Sequence, residues 1–306
     1  MDFVLTEKIR IGISACNYGA KVRWNQRGWD RVATLIREKF DYIWTPVCPE
    51  IMSGLGVPRP PIRLVSGSGD EFWQEKARMK NRKGRDVSQQ IRAGATAALE
   101  NLRRAGIEAF VFMEGSPSCG VYRTTLKDKR LGRPPGVFGS LLLKEDFFLI
   151  PADSIDSPWK WWDWSRRLHA FSWLKRREVA TKKDMYDIWH VLKFMCQEAD
   201  AKEAGRLGTA IAHAPKKITS EHITDWRSQV LRLLRKPSTL RRIQSVLLKH
   251  YAHYRRHFGY KAADVKVPES DRGKQRFIEE LTQMERKAFD QGYVFAGHPV
   301  VYRPER

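Results

Sequence analysis

IRIGISAC, residues 9–16, is the stretch on which the fold turns: an apolar, isoleucine-rich run of strand length that ends in a cysteine. The pattern recurs in DYIWTPVC, residues 41–48, and in IEAFVFMEGSPSC, residues 107–119. Helical spacing separates these runs. GWDRVATLIREKF, residues 28–40, has apolar positions three and four apart. DVSQQIRAGATAALENLRRAG, residues 86–106, opens on Asp86 as an N-cap and closes on Gly106. A loop at residues 120–136, a short helix at 137–146 and a last strand, FFLIP at 147–151, follow. Alternation of this kind predicts an α/β domain, a Rossmann-like and mostly parallel sheet with helices on both faces. In such a sheet the strands' carboxyl ends share one edge, where open α/β folds build their sites. Cys16, Cys48 and Cys119 would all emerge there.

The texture changes near residue 150. PADSIDSP, residues 151–158, reads as a linker between a domain over 1–150 and an all-α domain over 159–306. In that second part RRLHAFSWLKRREVA (166–180), KDMYDIWHVLKFMCQEADAKEAGRLGTAIA (183–212) and HITDWRSQVLRLLRK (222–236) are helical in period. The 306 residues carry 56 Lys and Arg against 35 Asp and Glu, a net charge of +21, which suits a polyanionic partner such as nucleic acid. The amino terminus has no apolar core of the signal-peptide kind, and no stretch approaches the ~18 apolar residues of a membrane span. With four cysteines in a chain of this length a disulfide framework is not expected, and the compartment expected is the cytoplasm.

The three cysteine-bearing loops are SACNYGAKVRW (14–24), PVCPEIMSGLGVPRPP (46–61) and EGSPSCGVYR (114–123). Their glycines and prolines let backbone amides approach sulfur closely, and Glu50 adds a carboxylate. Three converging thiols suit an iron-sulfur cluster or a zinc ion with a bound water. Without CxxC pairs, spacing alone does not choose between these and three unrelated buried cysteines.

The motifs, taken in order over residues 9–150, resemble the signature of the TudS-like thiouracil desulfidases: SAC followed by a glycine and VR, PVCPE with GLGVPRPP, then SPSCG. The resemblance implies a [4Fe-4S] cluster held by Cys16, Cys48 and Cys119, with one iron left for the sulfur of a thiolated pyrimidine. It makes Glu50 and Ser116 the catalytic residues, with Ser118 as the alternative serine. Asn17-Tyr18 and Trp24-Asn25 depart from the usual pattern, which has an apolar pair and Tyr-Asp at these places. The helical part resembles the YgbA-type domain through EAGRLGTAIA (203–212) and KPSTLRRIQSVLLKHYAHYRRHF (236–258). Together the two parts resemble desulfidases that act on 4-thiouridine in transfer RNA. The chemistry implied is hydrolytic, with Glu50 as proton shuttle, its pKa raised by partial burial. Two rival expectations are a desulfidase of free thiouracil or thiouridine nucleotides, and a non-catalytic RNA-binding sensor whose cluster reports redox state.

Residues 226–263 hold ten Lys or Arg and no acid. Arg241, Arg242, Lys249, Arg255 and Arg256 are placed to neutralise phosphates, while Tyr251, Tyr254 and Phe258 would stack on unpaired bases. His250, His253 and His257 share a helical face with no carboxylate or thiol to complete a zinc site, so RNA contact or packing is the better reading. Trp159, Trp161, Trp162 and Trp164 read as packing at the domain junction, and Cys196 as a small buried hydrophobe.

Overall fold

The computed structural model describes residues 3–35, 38–124, 133–215, 218–243, 245 and 271–304. Two compact units result, Lys8–Asp156 and a second made of Met1–Glu7 with Ser157–Arg306. The first strand of the chain, β1 (Val4–Leu5), therefore belongs with the C-terminal helices.

The N-terminal unit runs β2 (Ile9–Ser14), β3 (Tyr42–Val47), α1 (Pro49–Met52), β4 (Ile62–Val65), α2 (Gly69–Trp73), β5 (Arg78–Asn81), α3 (Ser88–Arg104), β6 (Ala109–Phe112), α4 (Val137–Lys144) and β7 (Phe148–Pro151). Four of these strands form one sheet in the order β3-β2-β6-β7, with every pair parallel. Register places Ile11 beside Ala109 and Trp44, and Ile13 beside Val111 and Pro46. The chain leaves β2 for β3 on one side, then crosses to β6 on the other, so the connections diverge around β2. That divergence opens a crevice at the carboxyl ends of the strands.

One face of the sheet meets α3 and α4. Ile91, Ala95, Ala98 and Leu102 of α3 pack with Phe110, Phe112, Phe138 and Leu142 in a single cluster. Burying each of those phenylalanines contributes roughly 1.5–3 kcal/mol. The alternate residues Ile9, Ile11, Ile13, Ala109 and Val111 point to the opposite face and are also buried. Gly94 on α3 has a specific duty: a Cβ there would stand 2.3 Å from the Pro49 carbonyl oxygen and 2.5 Å from the Ser53 nitrogen. Only glycine lets α3 lie this close to α1, the short helix that carries Glu50.

The described residues of 28–40 are not in an α-helix; among them are the 3₁₀ turn Val32–Leu35 and most of a second, Glu38–Asp41. Local side-chain bonds compete with helix growth here: Asp30 accepts the Ala33 N–H at 3.0 Å, and the Thr34 hydroxyl donates to the Arg31 carbonyl at 2.6 Å. The antiparallel pair β4–β5 has no signature in the sequence, because RMKN offers no apolar alternation.

The second unit contains α5 (Pro158–Arg176), α6 (Lys182–Ala199), α7 (Ala201–His213), α8 (Ser220–Leu234) and α9 (Asp271–Asp290), with β8 (Val301–Tyr302) pairing parallel to β1. The helical run at 183–212 breaks at Asp200, whose backbone is extended and whose carboxylate accepts the Glu203 N–H at 3.1 Å to start α7. Trp162 packs with Ile278, Leu281 and Met284 inside this unit. Cys196 is fully buried. Among the described residues no helix is long and apolar enough to cross a membrane.

Candidate functional site

Cys16 follows β2, Cys48 follows β3, and Cys119 follows β6, three neighbouring parallel strands. Their loops meet around a cavity of about 200 Å³ lined by all three cysteines together with Glu50, Arg59, Ser116, Trp24 and Met113. None of the three forms a disulfide. Burial is the main force on each thiol. It pushes Cys16 up to about 12, an effect opposed by Arg23 and reinforced by Cys48 and Glu50. Cys48 is raised by burial and then by Glu50, while the Ile51 amide, Arg59 and the Glu50 amide pull the other way. Cys119 is raised well above its ordinary value by burial, and next by Cys48 and Cys16. Cys16 and Cys119 are thus disfavoured as thiolates by neighbouring thiols as well as by burial, Cys48 by burial and Glu50, and Arg23 and Arg59 offset this only in part. Among the described residues no group of three or more His, Cys, Asp or Glu is placed to hold a metal ion.

Glu50 sits in the first turn of α1, directly after the extended Cys48 and Pro49 at the helix start. It is held from two sides. Arg59 donates through Nε at 3.0 Å and also through Nη2 to Oε2, and Ser118 donates to Oε1 at 2.5 Å. The carboxylate is therefore an ion-paired group with a fixed orientation. Arg59 is only 7% exposed, and its Nη1 also donates to the carbonyls of Val22 at 2.9 Å and Gly56 at 3.0 Å.

The two serines of SPSC divide their work. Ser116 Oγ accepts the backbone N–H groups of Ser118 and Cys119 at 3.2 and 3.1 Å, which shapes the turn that presents Cys119. Its own hydroxyl proton is left for Ser118, 3.0 Å away, or for a molecule in the cavity. Ser118 is fully buried and gives its proton to Glu50. Sequence reasoning ranks Ser118 below Ser116 and gives Arg59 no role of its own; inside GLGVPRPP that arginine resembles an ordinary loop cation.

Residues 11–154 match the family described as 2-thiouracil desulfurase. The match spans the sheet and all three cysteine loops of this desulfurase-like domain. It stops short of the helical unit, so the YgbA-type resemblance read there gains no support. A curated relative, the uncharacterized protein YbbK of Bacillus subtilis (strain 168), is 26% identical over 149 residues, 47% of this chain and 96% of that protein. A solved structure described as the [4Fe-4S]-dependent thiouracil desulfidase TudS is 27% identical, covers 48% of this chain and 93% of its own, and superposes with a TM-score of 0.39.

The expected RNA-binding residues stand differently. Lys249, Arg255 and Arg256 lie outside the described residues, as do His250, His253, His257, Tyr251, Tyr254 and Phe258. Arg241 is exposed. Arg242 donates to the carbonyls of Glu198 at 3.4 Å and Ala199 at 2.9 Å, closing the end of α6. Arg232 pairs with Glu203, Lys236 with Asp200, and Arg227 binds the carbonyls of Leu174 and Lys175. The run lacks acids in sequence, but the fold brings acids and helix ends to its described members Arg227, Arg232, Lys236 and Arg242.

Proposed function

We propose that the protein hydrolyses the carbon–sulfur bond of 4-thiouridine in transfer RNA, giving uridine and hydrogen sulfide, with a [4Fe-4S] cluster held by Cys16, Cys48 and Cys119. The observation that carries this reading is the meeting of three cysteine loops, Glu50 and Ser116 around one cavity at the carboxyl edge of the sheet. The donor set fits the group. Thiols whose pKa is raised by burial need a positive partner to ionise, which bound iron would supply, and all three line the same cavity. When bound, the cluster would offer a soft Lewis-acidic iron without a protein ligand, matched to a thiocarbonyl sulfur.

The chain's own residues supply positioning and proton transfer. Glu50 takes a proton from the water whose oxygen adds to C4 of the pyrimidine, and returns it to the departing sulfur. Arg59 and Ser118 hold the carboxylate in one orientation through both of its oxygens. Ser116 uses its uncommitted hydroxyl proton on the pyrimidine edge. The atoms balance without an oxidant: water's oxygen stays on the base, and its two protons leave with sulfur.

The match to 2-thiouracil desulfurases favours a second reading, a free thiopyrimidine as substrate. One anaerobic experiment separates the two. Protein reconstituted with iron and sulfide is given thiolated transfer RNA or free thiouracil, and thiobase absorbance is followed together with sulfide release. Turnover of the RNA with a kcat/KM at least equal to that on the free base supports the first reading. Turnover of the free base alone establishes the second, and release from neither removes both.

A further inference from the structure

The loop KVRWNQRGWDR, residues 21–31, stands at the mouth of the cysteine cavity and is built with unusual care for an exposed segment. It is pressed onto the Cys16 loop: the Trp29 N–H donates to the Cys16 carbonyl at 2.6 Å, and the Gly19 N–H to the Trp29 carbonyl at 2.9 Å. At Gly28 a Cβ would come within 2.3 Å of the Ala20 carbonyl oxygen, so glycine is what permits the contact. On its other side the loop is tied to Arg59, which donates from its backbone to Trp24 and from its side chain to Val22. Because Arg59 also grips Glu50, the loop and the carboxylate are fixed relative to each other.

What this rigid loop displays is two indoles and a set of cations. Trp24 lines the cavity and is 42% exposed; Trp29 is 40% exposed. The Arg23 guanidinium lies 4.5 Å from the centre of the Trp29 ring, which holds it in place, and Lys21 and Arg27 are exposed. Arg31 is paired with Asp156, and Asp30 is occupied with the Ala33 N–H. Leaving large aromatic surface in water forgoes burial energy, and doing so in a braced loop among cations fits a ligand with flat rings and anionic links. The contrast with α8 and its surroundings, where the cations are met by the fold's own acids and carbonyls, points the same way.

We propose that residues 21–29 form a binding surface for an unpaired RNA strand, Trp24 stacking on the base that enters the cavity and Lys21, Arg23 and Arg27 neutralising the phosphates flanking it. The proposal rests on the thiolated-RNA reading above and places the contacts nearest the reacting base on the desulfurase-like domain itself. Such a surface accepts any base by its flat face, so the chemistry in the cavity, not the loop, selects the thiolated one.

The test uses the full-length protein and an unthiolated stem-loop RNA, with binding followed by fluorescence anisotropy over a series of salt concentrations. Trp24→Ala should weaken binding about tenfold, and Trp24→Phe, which keeps a ring, should restore most of it. The double variant Arg23→Gln/Arg27→Gln should flatten the slope of log affinity against log salt by about 1.4, roughly 0.7 for each phosphate no longer neutralised. Unchanged affinity and slope in these variants would overturn the surface, as would equal losses on a fully paired RNA duplex. Sulfide release on the same preparations is a separate readout. A wild type that needs the loop for RNA but releases no sulfide refutes the desulfidase reading and upholds the surface; active enzyme with indifferent loop variants does the reverse.

Discussion

The two units bury ionisable groups in opposite ways. In the C-terminal unit Asp163, Arg166, Arg167 and Glu198 are almost wholly inaccessible, and their charges are matched, two guanidiniums facing two carboxylates, with Arg167 Nη1 the one nitrogen of the set left without a hydrogen-bond partner. Ser238 joins it through its backbone N–H, which donates to Asp163 at 2.7 Å, and Arg166 reaches the Gly297 carbonyl at 2.6 Å. Burial raises Asp163, but Arg167 and Arg166 more than offset it and hold its pKa below the ordinary value. The cysteine cavity has no such balance. Its thiols are buried among one another and Glu50, and all three are held in the protonated form. A buried set whose charges are matched within the protein needs no ligand, whereas thiols kept neutral by burial are groups that a bound cation would draw into the ionised form.

Removing one member should therefore have different consequences in the two places. Cys48→Ser in the cavity should leave the fold intact but abolish iron uptake and all detectable desulfuration; iron content and cluster absorbance after anaerobic reconstitution measure it, and a full complement of iron would remove Cys48 from the ligands. Glu198→Gln in the helical unit should do the reverse. It leaves Arg166 and Arg167 facing a single carboxylate, which costs about 3–5 kcal/mol of stability in denaturant titration, with iron content unchanged. A loss under about 1 kcal/mol would show that the network relaxes readily.

That contrast also marks where the sequence was readable. Strand-end cysteines were visible because buried parallel strands leave near-continuous apolar runs, and a short loop leaving such a run, as after Phe112 on the way to Cys119, starts at the sheet's edge. Arg59 and Ser118 were not visible in this way, since their importance comes from meeting Glu50 across nine and 68 residues of sequence. The helix expected at 28–40 failed because Asp30 and Thr34 satisfy backbone groups locally, a competition that apolar spacing does not register. In the helical unit the basic run looked unpaired for a related reason: Asp200 and Glu203 precede it by tens of residues and are returned to it only by folding.

Within the cavity the comparison sharpens around Glu50. Glu50→Gln keeps an acceptor for Ser118 but removes the base and takes the counter-charge from Arg59, so turnover should fall about 10²–10³-fold with cluster absorbance intact. Full activity would exclude the proton shuttle. A smaller effect is expected from Gly94→Ala on α3. The new methyl group would meet the Pro49 carbonyl and the Ser53 nitrogen and must push α1 away from α3, with a cost of about 1–3 kcal/mol in stability and a reduction in kcat greater than any change in KM. Loss of stability with unaltered kcat would show that Glu50 does not depend on that close approach.

The mildest test concerns a buried group kept neutral in the unit where charges are otherwise balanced. His169 is held well below its ordinary value of 6.5, first by burial and then by His298, whose other ring nitrogen meets Glu285 at 2.8 Å. Unfolded chains take up a proton on this histidine below about pH 6.5 and the folded protein does not, so the unfolded state binds more protons and stability falls with falling pH. The slope contributed by this one site is at most about 1.4 kcal/mol for each pH unit. Thermal unfolding between about pH 7 and about pH 5 should show it in the wild type and show less of it in His169→Gln. The difference in slope decides the matter rather than the absolute stability, because glutamine perturbs packing equally at every pH while only a histidine can draw a proton to the unfolded chain.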